Sequence, residues 1–350
     1  MELYRYHIKE GDTLLLIAQQ LGLSTSTLKN FHNNNSKPHE WIREDNSLPL
    51  WSSHIKLPDS ENNLRENKNQ KESENILNLE QFEINESNYK ILQKVDMQIS
   101  GNSLIDSESE ILWNFKKEKH GNVFYAHILQ KSHNIRYIKS IYRQFAEYMQ
   151  RFNKPLKFLN LELSNKGKIV GINNQQEIEN SWKSLRVDLV GKMGNTLEEK
   201  NILEGGDKDF KDTLPLLKNS LLYDLFLNEV YQKYSDIGNF VELGKKHYNS
   251  QVFNGEKVNI TTKRKIEKKD NIAKIKFYSE GNIDNNRHLK NIYDVKLKEF
   301  LQEEFNYKLS WSVEYHYDID KAKMLLCKSN IKEQASSRYI YLTAHEIKLI

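Results

Sequence analysis

From Tyr4 to Ile8 apolar and polar side chains alternate, with Tyr4, Tyr6 and Ile8 set against Arg5 and His7. That is the two-residue period of a half-buried strand. The period changes after Gly11-Asp12-Thr13: Leu14, Ile17, Ala18 and Leu21 fall at i, i+3, i+4 and i+7, one face of a helix. Asp12 or Thr13 stands where a side-chain oxygen can cap that helix, and Gly22 stands where it would end. Ser24 opens a second short helix with Leu28 and Phe31 inward, and Ile55 and Leu57 alternate again before Pro58. The first stretch, residues 1–58, thus reads strand, helix, helix, strand, a core near the lower size limit for independent stability.

The pattern lapses from Asp59 to about Glu86, where both charge signs mix and apolar residues are sparse. Such a segment buries too little surface to offset its ordering entropy, which predicts a flexible polar linker over 59–86. Alternation returns with Val95, Met97 and Ile99, a turn at Gly101-Asn102, and Ile111, Trp113 and Phe115. A second turn at Gly121-Asn122 leads to Val123, Tyr125 and His127, completing an antiparallel meander.

A helical stripe follows over Ile138–Phe152, then strands around Leu159–Leu163 and Ile169–Ile172. Asn174 and Glu177 have the spacing of a capping box ahead of Ile178, Trp182, Leu185, Leu189 and Met193. Leu203–Asp212, with Gly205-Gly206, reads as loop, and Leu216–Tyr234 as one strongly buried helix. Two strands meet about Lys269-Asp270, Leu289–Phe305 is an amphipathic helix, and strands at Trp311–Tyr317, Met324–Lys328 and Tyr339–Ile347 end the chain. This order predicts an α+β region over 87–350, a mostly antiparallel sheet with helices on one face, open to division into 87–195 and 196–350. Both parts combine strands with helices, but no fixed-period identity relates them.

Composition narrows the function classes. The net charge is +4, from 52 basic and 48 acidic residues in 350, too small an excess for a dedicated nucleic-acid binder. No apolar run reaches the ~20 residues needed to span a bilayer. The single cysteine, Cys327, excludes an internal disulfide and fits a reducing compartment. Residues after Met1 enter an alternating strand instead of a basic and then apolar leader. The expectation is a chain made in the cytoplasm without a signal peptide, acting there or at the cell envelope.

Tyr4 to Pro58 resembles a LysM domain. The resemblance is carried by the Gly11-Asp12-Thr13-Leu14 turn, the Ile17-Ala18 pair, the Gly22-Leu23-Ser24 break, Leu28, and the closing Ile55-Lys56-Leu57-Pro58. It implies a βααβ module that binds N-acetylglucosamine polymers of peptidoglycan or chitin against the first turn and the loop after the second helix, with backbone amides and carbonyls reading the acetamido groups. Carried over, it nominates Gly11, Asp12, Thr13 and Leu14, together with the residues after Phe31. His32 stands where the family usually carries Asn, so the side-chain amide expected near the second loop is either missing or replaced by Asn33, and the long loop from Asn33 to His54 adds Trp41 and Trp51. An indole pair there can stack on a sugar face or dock on a partner protein, or it can cover a small core. Asp12 and Thr13, for their part, can act purely as helix caps.

LysM modules often accompany cell-wall hydrolases, which would require catalytic groups in the rest of the chain. His316 in Tyr315-His316-Tyr317-Asp318 and His345-Glu346 each lack a second His at ligand spacing. Cys327 sits in Met324-Leu325-Leu326-Cys327, the setting of an inert buried thiol. Glu198-Glu199 and Glu303-Glu304 read as solvated helix faces, and Lys263-Arg264-Lys265 with Lys268-Lys269 as a basic hairpin tip that blunts a strand edge. No P-loop or GxGxxG calls for a cofactor.

The expectation is therefore a non-enzymatic binding protein that takes peptidoglycan or a chitin-like glycan. One alternative uses the module to dock on a protein of a contractile injection assembly, type VI-like or phage-tail-like. A second is a cell-wall hydrolase whose catalytic domain the residues do not reveal.

Overall fold

The computed structural model describes residues 4–43, 45–49, 53–57, 76–190 and 196–350. The chain forms two compact units, Met1–Ile76 and Leu77–Ile350.

In the first unit β1 (Tyr4–His7), α1 (Leu14–Gln20), α2 (Thr25–Asn34) and β2 (His54–Leu57) follow the predicted order, and β1 pairs antiparallel with β2. Thr13 and Ser24 are the N-caps, accepting from the Leu16 and Thr27 amides. Leu14, Ile17, Ala18, Leu28, Ile42, Ile55 and Leu57 form the core. The inward pair of α2 is Leu28 and His32, one turn apart, while Phe31 is only half-buried, a correction to the expected Leu28–Phe31 face.

The second unit is built on one antiparallel sheet of eleven strands. Its first half comprises β4 (Ile84–Ile99), β5 (Asn102–His120), β6 (Val123–Ile138), β7 (Phe158–Leu163) and β8 (Ile169–Ile172). Its second comprises β10 (Phe240–Asn249), β11 (Lys257–Lys269), β12 (Ile272–Asn282), β13 (Lys308–Asp318), β14 (Lys323–Ser336) and β15 (Tyr339–Leu349). Within each half every strand neighbours the next in sequence, and the halves join where β15 pairs with β4, Ile347 opposite Ile91. The sheet therefore runs without a break across the proposed 195/196 division, and 77–350 is one unit. A separate two-stranded pair joins β3 (Leu77–Asn78) to β9 (Lys233–Tyr234).

Helices line the inner face: α3 (Ser140–Gln150), α4 (Gln175–Val190), α5 (Leu197–Lys211), α6 (Thr213–Asn219), α7 (Leu221–Phe226), α8 (His288–Lys296) and α9 (Lys298–Leu301). Phe226 of α7 meets Tyr89, Trp113 and Phe115 edge-on at centroid distances of 5.0, 5.2 and 5.0 Å. Such pairs contribute about 0.5–1.5 kcal/mol each beyond the area they bury, so they fix the helix on the sheet. The opposite face carries cross-strand charge pairs such as Lys94–Glu108 and Lys90–Glu110, both at 2.8 Å. No helix among the described residues is long and apolar enough to cross a membrane.

Several expectations are corrected. The linker predicted over 59–86 lies largely outside the described residues, but its end is packed: Leu77, Leu79 and Ile84 are buried, and the Leu79 amide donates to the Gln232 carbonyl. The buried residues of β6 are Phe124, Ala126 and Ile128 instead of Val123, Tyr125 and His127, because the tight turn pairs His120 with Val123 and so places Phe124 beside inward-facing neighbours. A slip of one residue reverses every side chain of a strand. In α3, Ile141 and Phe145 are exposed, so the apolar stripe there is only partly covered.

Leu203–Lys211 is helical, within α5, which a Thr196–Glu199 capping box starts and an extended Asp212 ends. The Gly206 Cα lies so close to Trp182 that an added Cβ would sit 2.4 Å from the indole, which makes this glycine a packing residue and not a turn. Leu216–Tyr234 is not one helix: α6 ends at Ser220, whose backbone is extended, α7 follows, and β9 closes the stretch. Leu289–Phe305 likewise breaks, at Leu297, into α8 and α9. The Asn174 side chain bonds the β7 backbone at Asn160 and Phe158 instead of closing a capping box with Glu177. Met193 lies outside the described residues.

Candidate functional site

The residues nominated from the sequence fall into three groups. The first shapes the opening turn. Gly11 adopts φ +87°, a conformation that favours glycine, and the Asp12 carboxylate accepts the Lys9 amide at 2.7 Å and the Tyr6 hydroxyl at 3.0 Å. Thr13 caps α1, and Leu14, only 2% exposed, belongs to the core. These side chains hold the turn, and Leu14 presents no side-chain surface to a ligand.

The second group fixes the loop after α2. His32 is buried; its Nε2 lies 2.9 Å from the Glu40 carbonyl and its Nδ1 accepts the Lys56 amide at 2.9 Å. The amide can only donate, so Nδ1 carries no proton, Nε2 carries it and donates to Glu40, and the ring is neutral. Burial accordingly pushes its pKa below the ordinary value. Asn33 exchanges two bonds with Ile42, accepting from its amide at 2.8 Å and donating to its carbonyl at 3.0 Å. Both residues are spent on backbone and serve as loop fasteners.

The third group is exposed. Trp41 is 47% exposed, yet its indole N–H donates to the Ser36 carbonyl at 3.1 Å, which orients a free ring face. Leu15 and Leu16, at 57% and 46%, stand on the first turn of α1 and were missed from the sequence. Their signal was the surplus in Leu14-Leu15-Leu16, since the helical stripe needs only the first of the three. Leu14 and Ile42 share one core, and Leu15 and Trp41 are their immediate chain neighbours. Trp51 lies outside the described residues.

The other nominated groups are accounted for structurally. Cys327 is buried and its thiol is pushed well above the ordinary range by burial. His316 pairs with Glu314 at 2.6 Å, and Glu303 accepts the Arg338 amide at 2.9 Å. Arg264 is not at a free hairpin tip: it pairs with Asp236 at 2.8 Å and lies over the Tyr234 ring. Glu198 is not described beyond its place in α5. Among the described residues no cluster of three His, Cys, Asp or Glu is placed to hold a metal ion.

No protein-family model and no curated protein matches this chain.

Proposed function

We propose that the protein is a non-enzymatic binding protein whose N-terminal unit takes N-acetylglucosamine polymers such as peptidoglycan or chitin. The observation that carries this reading is Trp41, a half-exposed indole whose edge is tied to Ser36 on the loop that the LysM resemblance nominates. A ring held this way loses little freedom on binding and offers an apolar face to the C–H side of a sugar. Leu15 and Leu16 add apolar surface on the other nominated segment. His32 and Asn33 support the reading indirectly, by presetting the loop instead of touching the ligand.

The test is sedimentation of the full chain with insoluble peptidoglycan and with chitin, beside Trp41→Ala. Retention of the native chain and its loss by about tenfold in the variant are expected, the usual scale for truncating a central aromatic contact. Absence of retention at low salt would overturn the glycan reading and favour docking on a protein partner of a secretion or tail assembly.

A further inference from the structure

In the second unit a cleft of about 610 Å³ lies between the inner face of the sheet and helices α3, α5, α6 and α7. That is within the size range of small-molecule sites. Its apolar wall includes Trp113, which stacks on Tyr223 at 5.2 Å with the rings 20° apart. Apart from Asp209 at its exposed edge, its polar groups are uncharged, among them Gln93, Gln251 and the imidazole of His345.

Two of the cleft's lining residues, Thr343 and His345, carry buried polar atoms without a hydrogen-bond partner, and His345 is the deeper of the two. It is 4% exposed, it lines the cleft, and its Nδ1 has no hydrogen-bond partner. Buried imidazole nitrogens are ordinarily satisfied, because an unpaired one forfeits its bond to water without compensation. Among the described residues no lysine or arginine lines the cleft, and the one charged side chain there, Asp209, is an exposed carboxylate. The second imidazole of the cleft, His133, is pushed below its ordinary pKa by burial, so no resident cation would compensate a buried anion, and a buried charge needs a partner.

We infer that this cleft binds a small uncharged amphiphile, its apolar body against Trp113 and Tyr223 and its hydroxyl or amide head hydrogen-bonded to His345. The site lies in a different unit from the glycan surface and does not depend on it. The neutral imidazole has one donor and one acceptor nitrogen, so it can serve either sense of such a head group.

Gly205 gives a means to block the cleft. It lines the cavity, and a Cβ added there would meet nothing within 4 Å. Any residue but proline also suits a helix interior better than glycine.

The experiment titrates the full chain with the neutral dye N-phenyl-1-naphthylamine, following its emission, and then displaces it with 1-octanol or octanoate at pH 7.5. Dye emission should rise on binding, and octanol should displace it at least tenfold more effectively than octanoate. Gly205→Trp and, from the α7 side, Leu222→Trp should abolish dye binding while far-UV circular dichroism stays native. His345→Phe should keep the dye and weaken octanol about fivefold, the loss of one hydrogen bond. The inference is overturned if the native chain leaves the dye dark, or if octanoate competes as well as octanol. Native-like dye binding by a folded blocking variant, or unchanged octanol affinity in His345→Phe, would overturn it equally.

Discussion

His32 and Lys56 stand 24 residues apart in the chain, and the imidazole Nδ1 of the first accepts the backbone amide of the second at 2.9 Å. Through its Nε2 the same ring holds the Glu40 carbonyl, so one buried side chain ties α2, the following loop and β2 together. A position that the sequence nominates for ligand contact is a structural fastener.

Replacing it should therefore unfold before it unbinds. His32→Ala leaves the Lys56 amide and the Glu40 carbonyl without their partner, a loss of roughly 2–3 kcal/mol. Acid should have the same sense. The folded pKa is depressed by burial, so the stabilisation is complete above the unfolded value near 6.5 and is lost as pH falls through the lower folded value. Heteronuclear NMR of the Lys56 amide against pH would follow the N-terminal unit directly; a signal indifferent to acid and to His32→Ala would refute the role.

Lys117 is the reverse case. The residue is 2% exposed, its Nζ lies 3.1 Å from the Tyr231 hydroxyl and 4.3 Å from that ring's centroid, and among the described residues it makes no ion pair with a carboxylate. Burial brings its pKa down to about 7. Between that value and the ordinary 10.5 the unfolded chain holds a proton the folded chain has released, so stability rises with pH. Lys117→Met should gain a few kcal/mol at pH 7, at about 1.4 kcal/mol for each unit of depression removed. Urea denaturation of both proteins from pH 7 to 9.5 should show the gap closing; a destabilised methionine variant at pH 7 would contradict this account.

His345 should shape the acid limb of stability. Burial lowers its pKa to about 4. From the ordinary 6.5 down to 4 the unfolded state binds the proton first, so stability is complete above 6.5 and declines toward 4. The depression of about 2.5 units corresponds to roughly 3 kcal/mol of acid sensitivity. His345→Phe should flatten the denaturation midpoint over that interval relative to the native chain, and an unchanged slope would show that the imidazole titrates freely.

Two adjacent glycines should answer differently to the same change. Gly206→Ala places a methyl 2.4 Å from the Trp182 ring and should cost about 1–3 kcal/mol through overpacking. Gly205→Ala meets nothing and should stabilise by up to about 1 kcal/mol through helix propensity. Thermal denaturation of the pair settles the comparison; equal shifts would mean that α5 does not seat on Trp182.

The strand–helix–helix–strand order of residues 4–57 and most strands of the second unit could be read from the sequence, because period, caps and tight turns are local. Thr13 and Ser24 cap where they stand, and Ile111, Trp113 and Phe115 alternate into the core as their spacing predicts. Of the candidate site, the turn and Trp41 were legible, whereas the duties of His32 and Asn33 were not, since their partners lie on distant backbone.

What the tertiary structure alone decided has one physical cause, contact between residues far apart in sequence. The inward face of β6 follows from pairing with β5, and Gly206 is a glycine within a helix because Trp182 occupies the space a Cβ would need. The apolar run 216–234 breaks so that Phe226 can reach Tyr89, Trp113 and Phe115 while β9 reaches β3. Local pattern specified the pieces through short-range geometry; the pairing of β4 with β15, more than two hundred residues apart, made them one sheet with a cleft beneath it.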